Sequence, residues 1–469
     1  MSSVSALNSL LSSSSGIDIS SILQALTGSS SSGIDVNSAV SSSISAAQQP
    51  ELNWEAQQST LQSQATALTQ LQNATTNLDN DVQALNSVTG PLSATLVSSS
   101  NAGIVTGSAA SGSSVGNVVV VVNSLATTAS WSSNTLANES TVLPPETFVI
   151  TTASGATATI TTGNGINNLD DLTKAINGEN LGLHASVIND ANGSRLAITS
   201  NNSGSASNFT VTSSDPSFSL TQAVAGTNAS LQVNGISIAS ASNTVTGAVP
   251  GLTLNLLGAS VGTEVSLSVS HDNSQASTAI NQFVTDYNTL IGQLNTQFTD
   301  TGTGEGVLAS DSSVRSLQSE ILQALSYTAP PAQGSTTTVP NLSSLGISVN
   351  NDGTLSVNNA TLNNSLQNNF SDVQNFFQGA SLNGFANSLD QQLTSFISPA
   401  DGAFTVDLKS ISTEYSNLQD DINNFETNII TPLRTQLQAS FSQAEIALQQ
   451  LPSEIKNVDA ELGLNNNNN

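Results

Sequence analysis

Two periodicities divide this chain. From Trp54 to Leu85 the apolar side chains Trp54, Leu61, Leu68, Leu71, Leu78, Val82 and Leu85 fall on the a and d positions of one heptad frame. A 3.5-residue repeat holds one stripe of a helix against a partner, so this spacing predicts a long packed helix. Gln57, Gln64 and Thr75 occupy other seam positions and interrupt the stripe, and Gly90-Pro91 ends it. A second seam runs through Ile411, Tyr415, Leu418, Ile422, Phe425 and Ile429. It continues through Leu437, Phe441, Ala444, Leu448, Leu451, Ile455, Val458 and Leu462, after a four-residue stutter around Thr431-Pro432. Steps of four and three at Ile280, Val284, Tyr287, Ile291, Leu294 and Phe298 predict another helix, and so do Val314, Leu317, Ile321 and Leu325.

Between 92 and 272 the period falls to two. Val118–Val122, Thr147–Thr151, Thr157–Ile160, Leu196–Thr199, Leu231–Ile238 (turning at Asn234-Gly235) and Val265–Val269 read as strands. The stretch Ser242–Leu257 reads as strand, Pro250-Gly251 turn, strand, with Leu252, Leu254 and Leu256 on one face. Leu169–Ile176 is the one helix expected inside this region, before Gly178. A small hairpin is expected around Asn351-Asp352-Gly353. Residues 1–48, Ser-rich with GIDIS echoed by GIDVN, bury too little to fold alone, and the terminal run of asparagines is expected to be disordered. The order is therefore helix, β-region, helix. Both ends form a stalk and the middle is inserted into it.

Composition narrows the job. The chain has 469 residues, enough for about three domains. Only 8% are charged, and the net charge is −27 with six basic residues. A nucleic-acid backbone or an anionic membrane surface is excluded as a partner on that ground. With few ion pairs available, association has to rest on apolar seams and amide hydrogen bonds. The low charge content also suggests acidic working surroundings, in which carboxylates are partly neutral. No cysteine is present, so thiol chemistry and disulfides are excluded. The first basic residue is Lys174, so the positive n-region of a Sec signal is missing, and Val118–Val122 is far too short for a membrane span.

Candidate chemistry is sparse. Thr301–Gly306 has the wrong spacing for a nucleotide loop, and His184 and His271 lack metal-ligand partners in sequence. Asp170-Asp171 suits a helix N-terminus. No catalytic, cofactor or metal site is expected. The seam residues Trp54, Leu61, Leu68, Leu71, Leu78, Tyr287, Ile422, Phe425, Leu437, Phe441, Leu448 and Leu451 are the assembly candidates. Part of that seam is intrachain packing, and an uncovered remainder at both ends of one chain would be an aggregation liability in a monomer.

Several stretches resemble one family in order along the chain. Ser32-Gly33-Ile34-Asp35-Val36-Asn37 with Pro50 and the Leu-rich heptads is similar to the N-terminal motif of the flagellar filament cap proteins, the hook-associated protein 2 family. Val118–Val122 with Ser124-Leu125-Ala126, then Leu196–Ser200 with Gly204, are similar to its next motifs. So are Ser242–Leu257, Phe283-Val284 with Tyr287-Asn288, Leu345-Gly346-Ile347, Asp352–Leu355, Phe376-Phe377, and Arg434, Leu437, Phe441 and Glu445. The chain departs from the family before Pro50, where Ala46-Ala47-Gln48-Gln49 replaces the usual charged residues.

The resemblance implies an α+β multidomain fold: a helical coiled-coil leg built from both termini, with two β-rich head domains inserted between them. The boundaries expected are a disordered 1–48; a leg of 49–91 plus 273–462 with a hairpin near 345–357; an inner head of 92–134 plus 227–272; an outer head of 135–226; and a disordered tail, 463–469. It implies a structural, non-enzymatic, extracellular protein at the flagellum tip, exported through the flagellar secretion channel. Its partners would be further copies of itself in a ring, flagellin and an export chaperone, with adhesion as a secondary role. The rival expectations are a flagellin-like or junction protein of the filament, or a secreted β-rich adhesin.

Overall fold

The computed structural model describes residues 35–299, 304–330 and 338–461. The disorder expected of residues 1–34 and of the tail 463–469 lies outside them, as does the first half of the Thr301–Gly306 stretch. Helix α1 (Val36–Ala47) is followed after Gln48 by α2 (Gln49–Asn86), 38 residues long with Pro50 in its first turn. Proline is tolerated there because the first turn has no intrahelical acceptor for its missing N–H. Strands then run from Thr95 to His271, and α4 (Asn273–Phe298) returns along α2.

The entry into α4 is abrupt because Asp272 is an N-cap. Its carboxylate accepts from the backbone N–H of Ser274 and Gln275, while its own N–H donates to Ala94 O at 2.9 Å. The β-region thus leaves the helices at Ala94 and rejoins them at Asp272, side by side. After α5 (Ser312–Ala324), the hairpin β16 (Ile347–Val349) and β17 (Leu355–Val357) pairs across Asp352-Gly353. The periodicity missed three short helices that follow: α6 (Asn359–Asn368), α7 (Phe370–Gln378) and α8 (Phe385–Ile397). Their buried faces, such as Val373, Phe376 and Phe377, are too short to establish a period.

Helix α9 (Ala403–Phe425) passes through a π-helical turn, Glu426–Ile430, into α10 (Thr431–Glu461). That turn is the structural form of the stutter expected at Thr431-Pro432. Pro432 cannot donate and its ring would clash with the carbonyl four residues back, so one residue is inserted. The N–H of Thr431 accordingly donates to Glu426 O, five residues away.

One large apolar core joins α2, α4, α5, α6, α7, α8 and the hairpin, including Leu68, Leu78, Phe283, Tyr287, Phe377 and Phe385. The β-region has two cores. In one, the sheet β1 (Thr95–Ser99), β15 (Val265–His271), β3 (Gly116–Ser124), β11 (Ala229–Val233), β12 (Ile236–Ser240) faces the sheet β13 (Thr244–Val249), β14 (Leu252–Leu256), β2 (Val105–Ala109), burying Val120, Leu231, Leu254 and Leu267. Leu252, Leu254 and Leu256 point inward together, as their alternation predicted. In the other, the sheet β10 (Leu220–Val224), β4 (Thr128–Ser133), β8 (Gly193–Ser203), β7 (Leu183–Asp190) and the sheet β6 (Thr157–Thr161), β5 (Thr147–Thr152), β9 (Phe209–Ser213) enclose Phe148, Ile150, Leu196 and Phe218. Helix α3 (Leu169–Gly178) adds Leu172 and Ile176.

Two expectations are corrected. The strand β4 (Thr128–Ser133), assigned by sequence to the inner head, pairs with β8 and β10 and buries Ala129 in the second β-core. The chain crosses between the two cores at Thr127 and Thr227, which pair through backbone and hydroxyl groups. The crossing escaped the sequence reading because a strand's pattern does not identify its sheet.

Residues 36–47 are helical and not an unfolded segment. Asp35 caps α1 through the N–H groups of Asn37 and Ser38, and Val40 and Ile44 pack with Ile430 against α10. Ser41, Ser42 and Ser43 turn their hydroxyls onto carbonyls four residues back, within the helix. Tertiary burial, absent from a local reading, makes this helix.

Candidate functional site

The seam is built on α2. Leu68, Leu71 and Leu78 are fully buried against α4 and α8, and Leu61 is buried against α9. Tyr287 lies in the same core, with its hydroxyl donating to Gly353 O at 3.0 Å, which fastens α4 to the hairpin. Burial pushes the Tyr287 phenol well above its usual range. Trp54 is half-buried and meets Phe425 edge-to-face at 5.4 Å, while Leu418 and Ile422 bury beside it.

Beyond the π-turn the seam changes character. Leu437 and Phe441 pack against α1, whose Val36, Val40 and Ile44 cover them. The stripe continues along α10 to Leu448 and Leu451, each 45% exposed with nothing described above them. Tyr415 and Ile429, which the periodicity placed in the seam, are exposed at 36% and 51%. The side chains of Ile455, Val458 and Leu462 lie outside the described set. The structure therefore brings Trp54, Leu61, Leu68, Leu71, Leu78, Tyr287, Ile422 and Phe425 into intramolecular packing. Leu437 and Phe441 form a thinner contact, and Leu448 and Leu451 are left open.

Amides do the work that ion pairs do elsewhere. Gln58 donates to Tyr415 O and to the Gln419 side chain, Gln72 to the Thr405 hydroxyl, and buried Gln378 to Leu85 O and Ser87 O at the end of α2. Of the residues that interrupt the stripe, Gln64 donates to Val307 O, and buried Thr75 bonds Leu71 O within its own helix. The sequence reading treated these positions as defects; their regular placement among leucines was the available signal. Among the described residues two ion pairs occur, Arg195–Asp190 and Arg434–Glu426, both at 3.9 Å with half-exposed side chains. Pairs of that kind contribute little.

Two carboxyl pairs flank α2. Gln83 Nε2 donates to Asp79 at 2.8 Å and to Asp390 of α8 at 2.9 Å. Burial and then the Asp390 charge push the Asp79 carboxyl up to about 7. Burial and a hydrogen bond with Asp286 of α4 likewise push Asp81 up to about 7. His271, at the end of β15, stacks on Phe370 at 3.8 Å, and burial lowers its pKa; His184 is exposed on β7. Asp170 and Asp171 sit in the first turn of α3, where Asn168 is the cap. No group of three or more His, Cys, Asp or Glu side chains able to hold a metal occurs among the described residues. No described helix is long and apolar enough to cross a membrane. The arrangement offers surfaces for packing.

Comparison with known proteins agrees. Residues 32–129 match the family model described as flagellar hook-associated protein 2 N-terminus, and residues 226–453 match that of its C-terminus. B-type flagellar hook-associated protein 2 of Pseudomonas aeruginosa is 29% identical over 347 residues, covering 67% of this chain and 72% of that protein. The flagellar hook-associated protein 2 of Escherichia coli K12 is 27% identical over 474 residues, covering 94% of each. The crystal structure of the D1-D2-D3 domains of the Escherichia coli flagellar cap protein FliD superposes with a TM-score of 0.60 at 26% identity. It covers 74% of this chain and 99% of that one. With both end models matched in order around a mixed helix-and-sheet fold, the chain belongs to the flagellar hook-associated protein 2 family, the structural caps of the bacterial flagellar filament.

Proposed function

We propose that copies of this chain assemble into a ring-shaped plate at the filament tip, with the helices from both termini as legs and the β-rich cores as heads. The plate retains exported flagellin and promotes its folding and addition beneath. The observation that carries this reading is the apolar stripe of α10. It is covered by α1 as far as Phe441 and then runs uncovered through Leu448 and Leu451. An apolar helix face flanked by glutamines and by the carboxylates Glu445 and Glu454, with no basic residue between them to lock a pair, is the chemistry of a contact that forms, yields and re-forms. The near absence of ion pairs among the described residues supports the same reading, because contacts made of methyl groups and amides do not lock one geometry. Catalysis has no part in this role, and no cofactor is invoked. Delivery to the tip through the flagellar secretion channel, with a chaperone holding the chain beforehand, completes the proposal.

Electron microscopy of the purified chain tests the first half: closed small rings are expected, and long filaments or monomers at assembly concentrations would overturn it. The second half is tested in cells lacking the protein. Unpolymerised flagellin should accumulate in the medium and swimming should fail. Normal filaments without excess released flagellin would refute a capping role.

A further inference from the structure

Among the described residues the two carboxyl pairs on α2 have no cation to answer them. Asp79 is 5% exposed, and its Oδ1 has no hydrogen-bond donor; the buried Oδ2 of Asp81 has none either. Because one Gln83 nitrogen touches both Asp79 and Asp390, those two carboxyl groups lie within about 6 Å of each other. Every element packed on α2 was a possible source of a positive charge. Helix α4 brings Asp286 and Tyr287, α8 brings Asp390, and α7 brings Asp372, whose carboxylate is held by the Thr338 N–H and hydroxyl. Neither α1 nor the short turn Pro91–Ser93 carries a titratable group. Helix α9 carries Lys409, but α9 begins beside Gln72 and runs away toward Gln58, so Lys409 lies on the far side of Gln72 from Asp79.

We propose that Asp79–Asp390 and Asp81–Asp286 are proton-sharing pairs that fasten α2 to α8 and α4. The helical body is firm while one member of each pair is protonated and loosens when both ionise. A neutral carboxyl supplies the O–H donor that each orphaned oxygen lacks, and its partner's carboxylate accepts it. With both members ionised, two like charges face each other in a partly dry contact.

The sign follows from linkage. The folded-state value, about 7 for Asp79 and for Asp81, is above the unfolded value of 3.8. The pairs' contribution to stability is therefore full below pH 4 and is lost as pH rises through 7. A protein fastened this way is suited to acidic surroundings and is most easily opened in mildly alkaline ones.

Thermal melting of the full chain, followed by circular dichroism from pH 5.5 to 8.5, reads this directly. Ordinary exposed carboxylates have finished titrating below that window, and His271, whose value burial lowers, makes stability rise with pH there and so cannot produce a fall. The melting temperature should fall by roughly 5 °C across it. The fall should persist in 0.5 M NaCl, which screens exposed repulsion but not a buried pair. Asp79→Asn with Asp81→Asn places a permanent donor at both sites, so its melting temperature should be flat and should exceed wild type at pH 8.5. If that variant does not fold, Asp286→Asn with Asp390→Asn makes the same exchange from the opposite helices. A wild-type melting temperature that is flat or rises with pH would overturn the proposal. So would an asparagine variant that keeps the wild-type slope, or a fall abolished by salt.

Discussion

Replacing Leu448 and Leu451 together by aspartate separates folding from assembly. Each is 45% exposed, so a partner that covers the rest recovers a little under half of the burial energy of a leucine. Full burial contributes about 1.5–3 kcal/mol per side chain, so the two together supply about 1–3 kcal/mol of contact per subunit. That corresponds to about 10- to 100-fold in affinity at each contact, and an unpaired carboxylate in the same place adds a desolvation penalty. Within the monomer the two side chains lie beyond the reach of α1, and surface substitutions of this kind change stability by about 0.5 kcal/mol or less. The double variant should therefore melt within about 2 °C of wild type. It should nevertheless form no rings by electron microscopy, and cells relying on it should release flagellin into the medium. If it melts normally, forms rings and restores swimming, the open stripe on α10 is not an assembly surface. If its melting temperature drops sharply, the stripe is covered within the chain.

Leu68→Asp attacks the main core instead, where the side chain is fully buried. Leucine removal alone costs about 2–5 kcal/mol and the buried charge adds more, so the helical circular dichroism signal should be largely lost. Phe441→Asp, at a half-buried position that α1 covers among the described residues, should cost about 1–2 kcal/mol and expose residues 36–47 to protease while the rest stays folded. Tyr287→Phe removes the hydroxyl donor to Gly353 O and should lower stability by about 1 kcal/mol, read by urea denaturation. A fragment of residues 92–272 should be soluble, protease-resistant and dominated by strand signal. It contains both β-cores entire, and its ends meet where Asp272 bonds Ala94.

The sequence by itself determined the long helices and most strands, because their periods of 3.5 and 2 are properties of single segments. The heptads on α2, the Ser242–Leu257 hairpin and the Asn351–Gly353 turn all follow from local spacing and turn chemistry. The break in the seam around Thr431-Pro432 was legible too, as a shift in apolar spacing, whereas the π-helical turn that takes it up was not. Ordered motifs along the chain likewise pointed to the family before any packing was known.

Tertiary structure decided what no period encodes. Ser-rich 36–47 is helical because the π-helical turn offers Ile430, and α10 offers Leu437 and Phe441, to Val40 and Ile44. Strand β4 joins the second β-core because its partners, β8 and β10, lie about 70 and 90 residues later in the chain. The leucine stripe of α2 is core at Leu68 and the like-spaced stripe of α10 is open at Leu448, since burial depends on what lies opposite and spacing records only which residues share a face. Asp79 and Asp81 look like ordinary helix-surface acids in sequence. Opposite helices bury them and place Asp390 and Asp286 against them, and burial first, then that meeting, moves where their protons leave.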